Sequence, residues 1–142
     1  MALSRDEKAE LLASVELFTG VDAESLGAIA DRSVEVSYPA GRWIVRRGEI
    51  GTGFFLLVTG RARVVRDDRL LATLGPGAFF GELSLLDQQP RIANVITEEP
   101  TDCLALASWD FDALLAEHPR IAVALLRGLA RRVRASAEQH QH

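Results

Sequence analysis

Between Val34 and Ala107 the chain falls into short runs of strand-forming residues cut by turn residues, a pattern that long helices cannot produce. The runs are Val34–Tyr38, Trp43–Arg47, Phe54–Thr59, Arg61–Arg66, Leu70–Leu74, Ile92–Thr97 and Cys103–Ala107. Each is rich in β-branched or aromatic residues, which fit a pleated, half-buried surface. Between them stand Pro39-Ala40-Gly41, Gly48, Gly51, Gly53, Gly60, Asp67-Asp68, Gly75-Pro76-Gly77 and Pro100, all good turn or bulge formers. Many short strands at this spacing predict an antiparallel sandwich, barrel or jelly roll.

Helical signals lie on both sides of this block. Ser4 with Glu7 three residues on is a capping box, and it predicts a helix through about Ala13. Asp22 suits the N-cap of a second helix, Ala23 to Asp31, which would bury Leu26, Ile29 and Ala30. After Ser108, an expected N-cap, Trp109, Phe111, Leu114 and Leu115 predict a helix that stops before Pro119. Pro119 then opens a final helix, on which Ile121, Ala122, Leu125, Leu126, Leu129 and Val133 form one apolar stripe beside Arg127, Arg131 and Arg134. The polar tail from Ala135 to His142 is expected to fray.

The fold class is therefore α+β, mainly β: an antiparallel β-roll flanked by N-terminal helices and two C-terminal helices. One domain covers residues 1–142, with N-terminal helices over 1–32, the roll over 33–107 and closing helices over 108–137. At 48% hydrophobic and 25% charged residues the chain can bury a proper core. It has no apolar run of the ~20 residues a membrane helix needs, and its charged N-terminus is not a secretory signal, so the expected location is cytoplasmic. A net charge of −4 gives no global attraction to nucleic acid or anionic lipid. A single cysteine, Cys103, excludes an internal disulfide and a cysteine-built metal site.

Chemistry concentrates in Gly75–Leu86 and Pro90–Val95. Gly81 permits a close backbone approach or a positive φ. Glu82 to Leu86 suit a single helical turn, whose free N–H groups can face an anion. Arg91 offers a planar fork of donors matched to phosphate oxygens, and Glu82 offers acceptors for a sugar hydroxyl. Phe80, Leu83, Ala93 and Val95 could wall a ring. These residue types describe a site for a phosphate, a hydroxyl and an apolar plane; the alternative is a surface Glu82–Arg91 ion pair worth about 0–1 kcal/mol.

The run Phe80-Gly81-Glu82-Leu83-Ser84-Leu85-Leu86 with Pro90-Arg91-Ile92-Ala93-Asn94-Val95 resembles the phosphate-binding cassette of the cyclic nucleotide-binding domain family. Tyr38-Pro39-Ala40-Gly41, Arg47-Gly48-Glu49, the Phe54–Gly60 run and Gly60-Arg61-Ala62-Arg63-Val64 resemble that family's β-roll. The resemblance implies a cassette over 80–95, a short phosphate-binding helix, and hinge and lid roles for the last two helices. It implies that Arg91 pairs with the cyclic phosphate and that Glu82 accepts from the ribose 2′-OH. Backbone N–H groups near Gly81, Leu83 and Ser84 would assist, and Ile92, Ala93 and Asn94 would line the phosphate and base edge. Val64, Leu74, Leu83 and Val95 would add apolar lining, and Leu126, Arg127 or Ala130 would cover the base. Leu83 and Leu86 would pack on Phe111 or Leu114 and relay the movement. Members that prefer cGMP often carry threonine directly after the arginine. Ile92 has no donor or acceptor, so the implied ligand is cAMP, with cGMP as the alternative and no cofactor. Asn94 departs from the family's frequent serine or threonine.

The implied function is a sensor or regulatory domain without enzymatic activity. Other classes fit less well. A metal-dependent jelly-roll enzyme needs clustered histidines, whereas His118, His140 and His142 all lie outside the β block. A DNA-binding reading lacks residues for a recognition helix after the last helix, and the stripe of Arg127, Arg131, Arg132 and Arg134 reads as a solvated face. The remaining alternative is a ligand-free interaction adaptor of the same fold. The apolar stripe of the last helix would suit a homodimer or an effector protein in either case.

Overall fold

The computed structural model describes residues 2–139. His140 and His142 of the expected frayed tail lie outside the described residues. Up to Gln139 the tail is helical rather than frayed.

Three helical pieces open the chain: α1 (Arg5–Ala13), a 3-10 turn (Glu16–Phe18) and α2 (Ala23–Arg32). Both expected caps are present. The Ser4 hydroxyl accepts the Glu7 N–H while the Glu7 side chain accepts the Ser4 N–H. The Asp22 carboxylate accepts the Ser25 N–H at 2.7 Å. Ile29 and Ala30 are buried and Leu26 is partly so.

The roll consists of eight strands: β1 (Val34–Tyr38), β2 (Trp43–Val45), β3 (Gly53–Thr59), β4 (Ala62–Arg66), β5 (Arg69–Leu74), β6 (Phe79–Phe80), β7 (Asn94–Thr97) and β8 (Thr101–Ala107). They form two antiparallel four-stranded sheets, ordered β1-β8-β3-β6 and β2-β7-β4-β5. Three strands are shorter than the sequence predicts, β4 by the single residue Arg61 and two others by more. β2 ends at Val45 because the Glu49 N–H turns back to the Arg46 carbonyl. β7 begins at Asn94 rather than Ile92 because Arg91 makes its backbone bonds to the loop after β2, outside the ladder. β6 was not expected; its two residues pair with Phe55 and Leu56.

After β6 comes the one-turn helix α3 (Ser84–Asp87), and after β8 come α4 (Ser108–Glu117) and α5 (Pro119–Gln139). The cap of α4 is Ala107, not Ser108. Ser108 is the first residue of the helix, is buried, and gives its N–H to the Thr52 carbonyl at 2.8 Å.

The main core joins the helices to one sheet. Phe18 meets Phe54 and Phe111 there, each at a centroid distance of 6.1 Å, with Leu12, Ile29, Leu104, Leu114 and Ile121 in the same core. The single cassette residue in this core is Leu85, 1% exposed, whereas Leu83 and Leu86 are largely open to solvent. The expected packing of Leu83 and Leu86 in the core with Phe111 and Leu114 is thus corrected to Leu85, since a one-turn helix buries only the side chain that points inward.

The α5 stripe also divides. Ile121 and Leu125 are buried against the body and Leu129 packs at the edge of the core. Leu126 and Val133, at 67% and 69% exposure, flank that buried stripe on the open side of the helix.

Candidate functional site

A cavity of about 470 Å3 opens where the second sheet meets the segment from Phe79 to Ala93. Ten of the expected site residues line it: Val64, Phe80, Gly81, Glu82, Leu83, Ser84, Arg91, Ile92, Ala93 and Val95. Val45 of β2 and Leu71 of β5 complete its apolar wall, although neither was expected there. Phe80 is held in place by stacking on Phe55, with centroids 5.2 Å apart and planes 19° from parallel.

Arg91 forms the polar end. One guanidinium nitrogen donates to the Gly53 carbonyl at 2.7 Å and another to the Ser84 hydroxyl at 3.3 Å. Its backbone N–H donates to the Glu49 carbonyl at 2.8 Å, and its carbonyl accepts the Gly48 N–H at 2.9 Å. Among the described residues no carboxylate lies within ion-pair distance of it. Burial pushes the guanidinium down from its ordinary value, with no partner charge to push it back. An arginine stays protonated even so, and a half-buried cation without a counter-ion is poorly solvated. The surface Glu82–Arg91 ion pair weighed from the sequence does not form.

Gly81 makes this placement attainable. Its φ is +79°, and a Cβ there would lie 2.6 Å from the Gly53 carbonyl and against the Arg91 guanidinium. Any other residue would be strained and would also push the arginine aside. The Ser84 N–H is already given to the Gly81 carbonyl at 3.1 Å, so Ser84 presents its hydroxyl to the site rather than the expected amide. Glu82 lies half-buried beside the same turn, on the cavity wall.

Five expected residues are not part of the lining. Leu74 packs in the smaller core cluster with Leu57, Ala62 and Cys103. Asn94 turns its carboxamide oxygen to the Arg47 N–H at 2.8 Å. Leu126 is on the open side of α5, and Arg127 lines a separate hollow with Gly20, Asp22 and Arg120. Ala130, the third residue named for the base, is likewise exposed on α5 and absent from the lining. α5 packs on α4 and on the 3-10 turn instead.

An arginine fork, a carboxylate, a hydroxyl and an apolar wall can together bind a phosphate, a sugar and a ring. Residues 35–118 match the family described as the cyclic nucleotide-binding domain. The chain belongs to that family. This cyclic nucleotide-binding domain is 37% identical over 123 residues to the cyclic AMP receptor protein of Thermus thermophilus, a match covering 83% of this chain and 57% of the relative. It is 35% identical over 135 residues to a CRP-like cAMP-activated global transcriptional regulator of Mycobacterium tuberculosis, covering 88% of this chain and 58% of that protein. It therefore spans well under two thirds of both relatives.

Among solved structures, the N-terminal domain of a transcriptional regulator from Streptomyces coelicolor A3(2) superposes with a TM-score of 0.83 at 29% identity. That match covers 93% of this chain and 96% of the other. The regulatory domain of Toxoplasma gondii PKA with cAMP gives 0.68 at 27% identity, covering 89% and 50%. Among the described residues no cluster of His, Cys, Asp and Glu could hold a metal ion, and no helix is long and apolar enough to cross a membrane.

Proposed function

We propose that the domain is a cytoplasmic cAMP sensor which recognises its ligand without chemical turnover and couples occupancy to movement of α4 and α5. The observation that carries this reading is the Arg91 guanidinium, half-buried at a cavity with only neutral acceptors around it. A cyclic phosphate supplies the missing charge. Glu82 accepts the ribose 2′-OH, the Ser84 hydroxyl adds a contact, and Val45, Val64, Leu71 and Val95 take the base. Ile92 offers the guanine amino group no partner, which favours cAMP over cGMP. A ligand-free adaptor of the same fold has no use for an uncompensated guanidinium that a neutral side chain could replace.

Coupling runs through Leu85. It shares the main core with Phe111 and Leu114 of α4, and α3 packs against α4. When the phosphate draws the Gly81–Leu83 turn toward Arg91, Leu85 moves with it, and a close-packed core cannot absorb the shift by compression. The closed arrangement brings Leu126 and Arg127 over the cavity. Its population rises only as far as the ligand binds it more tightly than the open one.

The open side of α5 carries Val123, Leu126, Ala130 and Val133 at alternating three- and four-residue spacing, the geometry of a two-helix seam. A second copy, presenting the same stripe, is the proposed partner.

Calorimetric titration with cAMP and cGMP tests the ligand, and binding of neither refutes it. Paired spin labels at Leu126 and Thr73 test the coupling. Their separation should shorten on adding cAMP, and an unchanged distance refutes the lid movement.

A further inference from the structure

The loop between β2 and β3 is stitched to the cassette along Gln89–Asn94. The Gly51 N–H donates to the Gln89 carbonyl at 3.0 Å, Gly48 and Glu49 bracket the Arg91 backbone on both sides, and the Gly53 carbonyl takes its guanidinium at 2.7 Å. Arg91 is therefore strung on this loop by its amide, its carbonyl and its side chain. The loop in turn needs an anchor where it leaves β2, since the ladder ends at Val45 and Gly48 runs at φ +88°. The anchor is Asn94, the first residue of β7, whose Oδ1 accepts the Arg47 N–H at 2.8 Å. The Arg47 side chain makes a separate, exposed ion pair with Asp67 at 2.6 Å, which contributes little.

We infer that Asn94 is a positioning residue for ligand affinity: by accepting the Arg47 N–H it fixes the loop that aims the Arg91 guanidinium into the cavity. This rests on the proposed nucleotide site, but it assigns Asn94 a role away from the ligand, where the cassette resemblance had put it at the base edge. The acceptor is all the role requires. Serine is too short to reach the same N–H from the same backbone, whereas aspartate is isosteric and keeps the oxygen.

The test is a double-mutant cycle read by cAMP titration of the whole chain. Asn94→Ala should weaken cAMP binding roughly three- to tenfold, the size of one lost hydrogen bond. In an Arg91→Lys background the same change should cost less than about twofold, because the fork it aims is gone. Asn94→Asp should recover most of the lost affinity, and Arg47→Ala, which leaves the N–H in place, should bind like the parent. Equal loss in both backgrounds, or no recovery by aspartate, overturns the positioning role. Tight binding by Asn94→Ala overturns it too. Failure of the parent to bind cAMP is a different result, and it refutes the nucleotide site on which this inference rests.

Discussion

The phosphate end of the cavity is tied down from three directions, by the Gly48–Gly53 loop, the Gly81 turn and the Ser84 hydroxyl, whereas α5 meets the body mainly through its first half. There Ile121 and Leu125 are buried; farther along, an ion pair from Arg132 to Glu16 at 3.2 Å and the edge contact of Leu129 are what hold the helix. One region is already gathered round Arg91 and has only a small shift of the Gly81–Leu83 turn left to make, and the other is inexpensive to move. A binding site that must also report occupancy needs both, since affinity comes from fixed donors and a signal comes from an element of low local stability.

Substitutions can separate the two ends. Val123→Asp with Val133→Asp, which spares Leu126 over the cavity, should have the largest effect, because each apolar side chain buried in a seam contributes about 1.5–3 kcal/mol. Sedimentation should then show a monomer where the parent is a dimer, while cAMP binding remains measurable. A monomeric parent removes the seam from the comparison. At the fixed end, Arg91→Ala should weaken cAMP binding by about 1.5–3 kcal/mol, roughly ten- to hundredfold by calorimetry. Unchanged affinity would mean the cavity is not the nucleotide site. Glu82→Gln keeps an acceptor and should cost only about two- to fivefold, and nothing for a 2′-deoxy cyclic nucleotide, which has no hydroxyl to donate.

The smallest effect belongs to the smaller core cluster, away from α5. Burial, reinforced by Asp102 nearby, pushes the Cys103 thiol up to about 12, so it stays protonated at neutral pH. A thiol reagent at pH 8 should therefore label the native domain negligibly and the unfolded chain fully. Rapid native labelling would show that the roll opens beneath β8.

What the sequence made legible was local. Ser4 with Glu7 and Asp22 with Ser25 are contacts between residues three apart, so a cap could be read directly. The strand and turn alternation named seven of the strands, and the cassette named most of the cavity. The misses depend on distant partners. β6 is two residues between glycine turns, too short to carry a period. Leu71 reaches the cavity because a bulge opposite Val64 and Val65 pairs Ala72 and then Leu70, leaving Leu71 as the extra residue. Leu74 keeps regular register opposite the buried Ala62, and so it packs on the smaller core cluster. Nothing in the spacing of Arg47 and Asn94 announces that they meet.

A lone guanidinium also bears on the survival of the polypeptide. A ligand that binds only the folded form stabilises it in proportion to the logarithm of its concentration, about 2.7 kcal/mol at a hundred times the dissociation constant. Heat, proteases and quality control act on the unfolded fraction, so the steady abundance of the chain would itself rise and fall with the concentration of the proposed ligand.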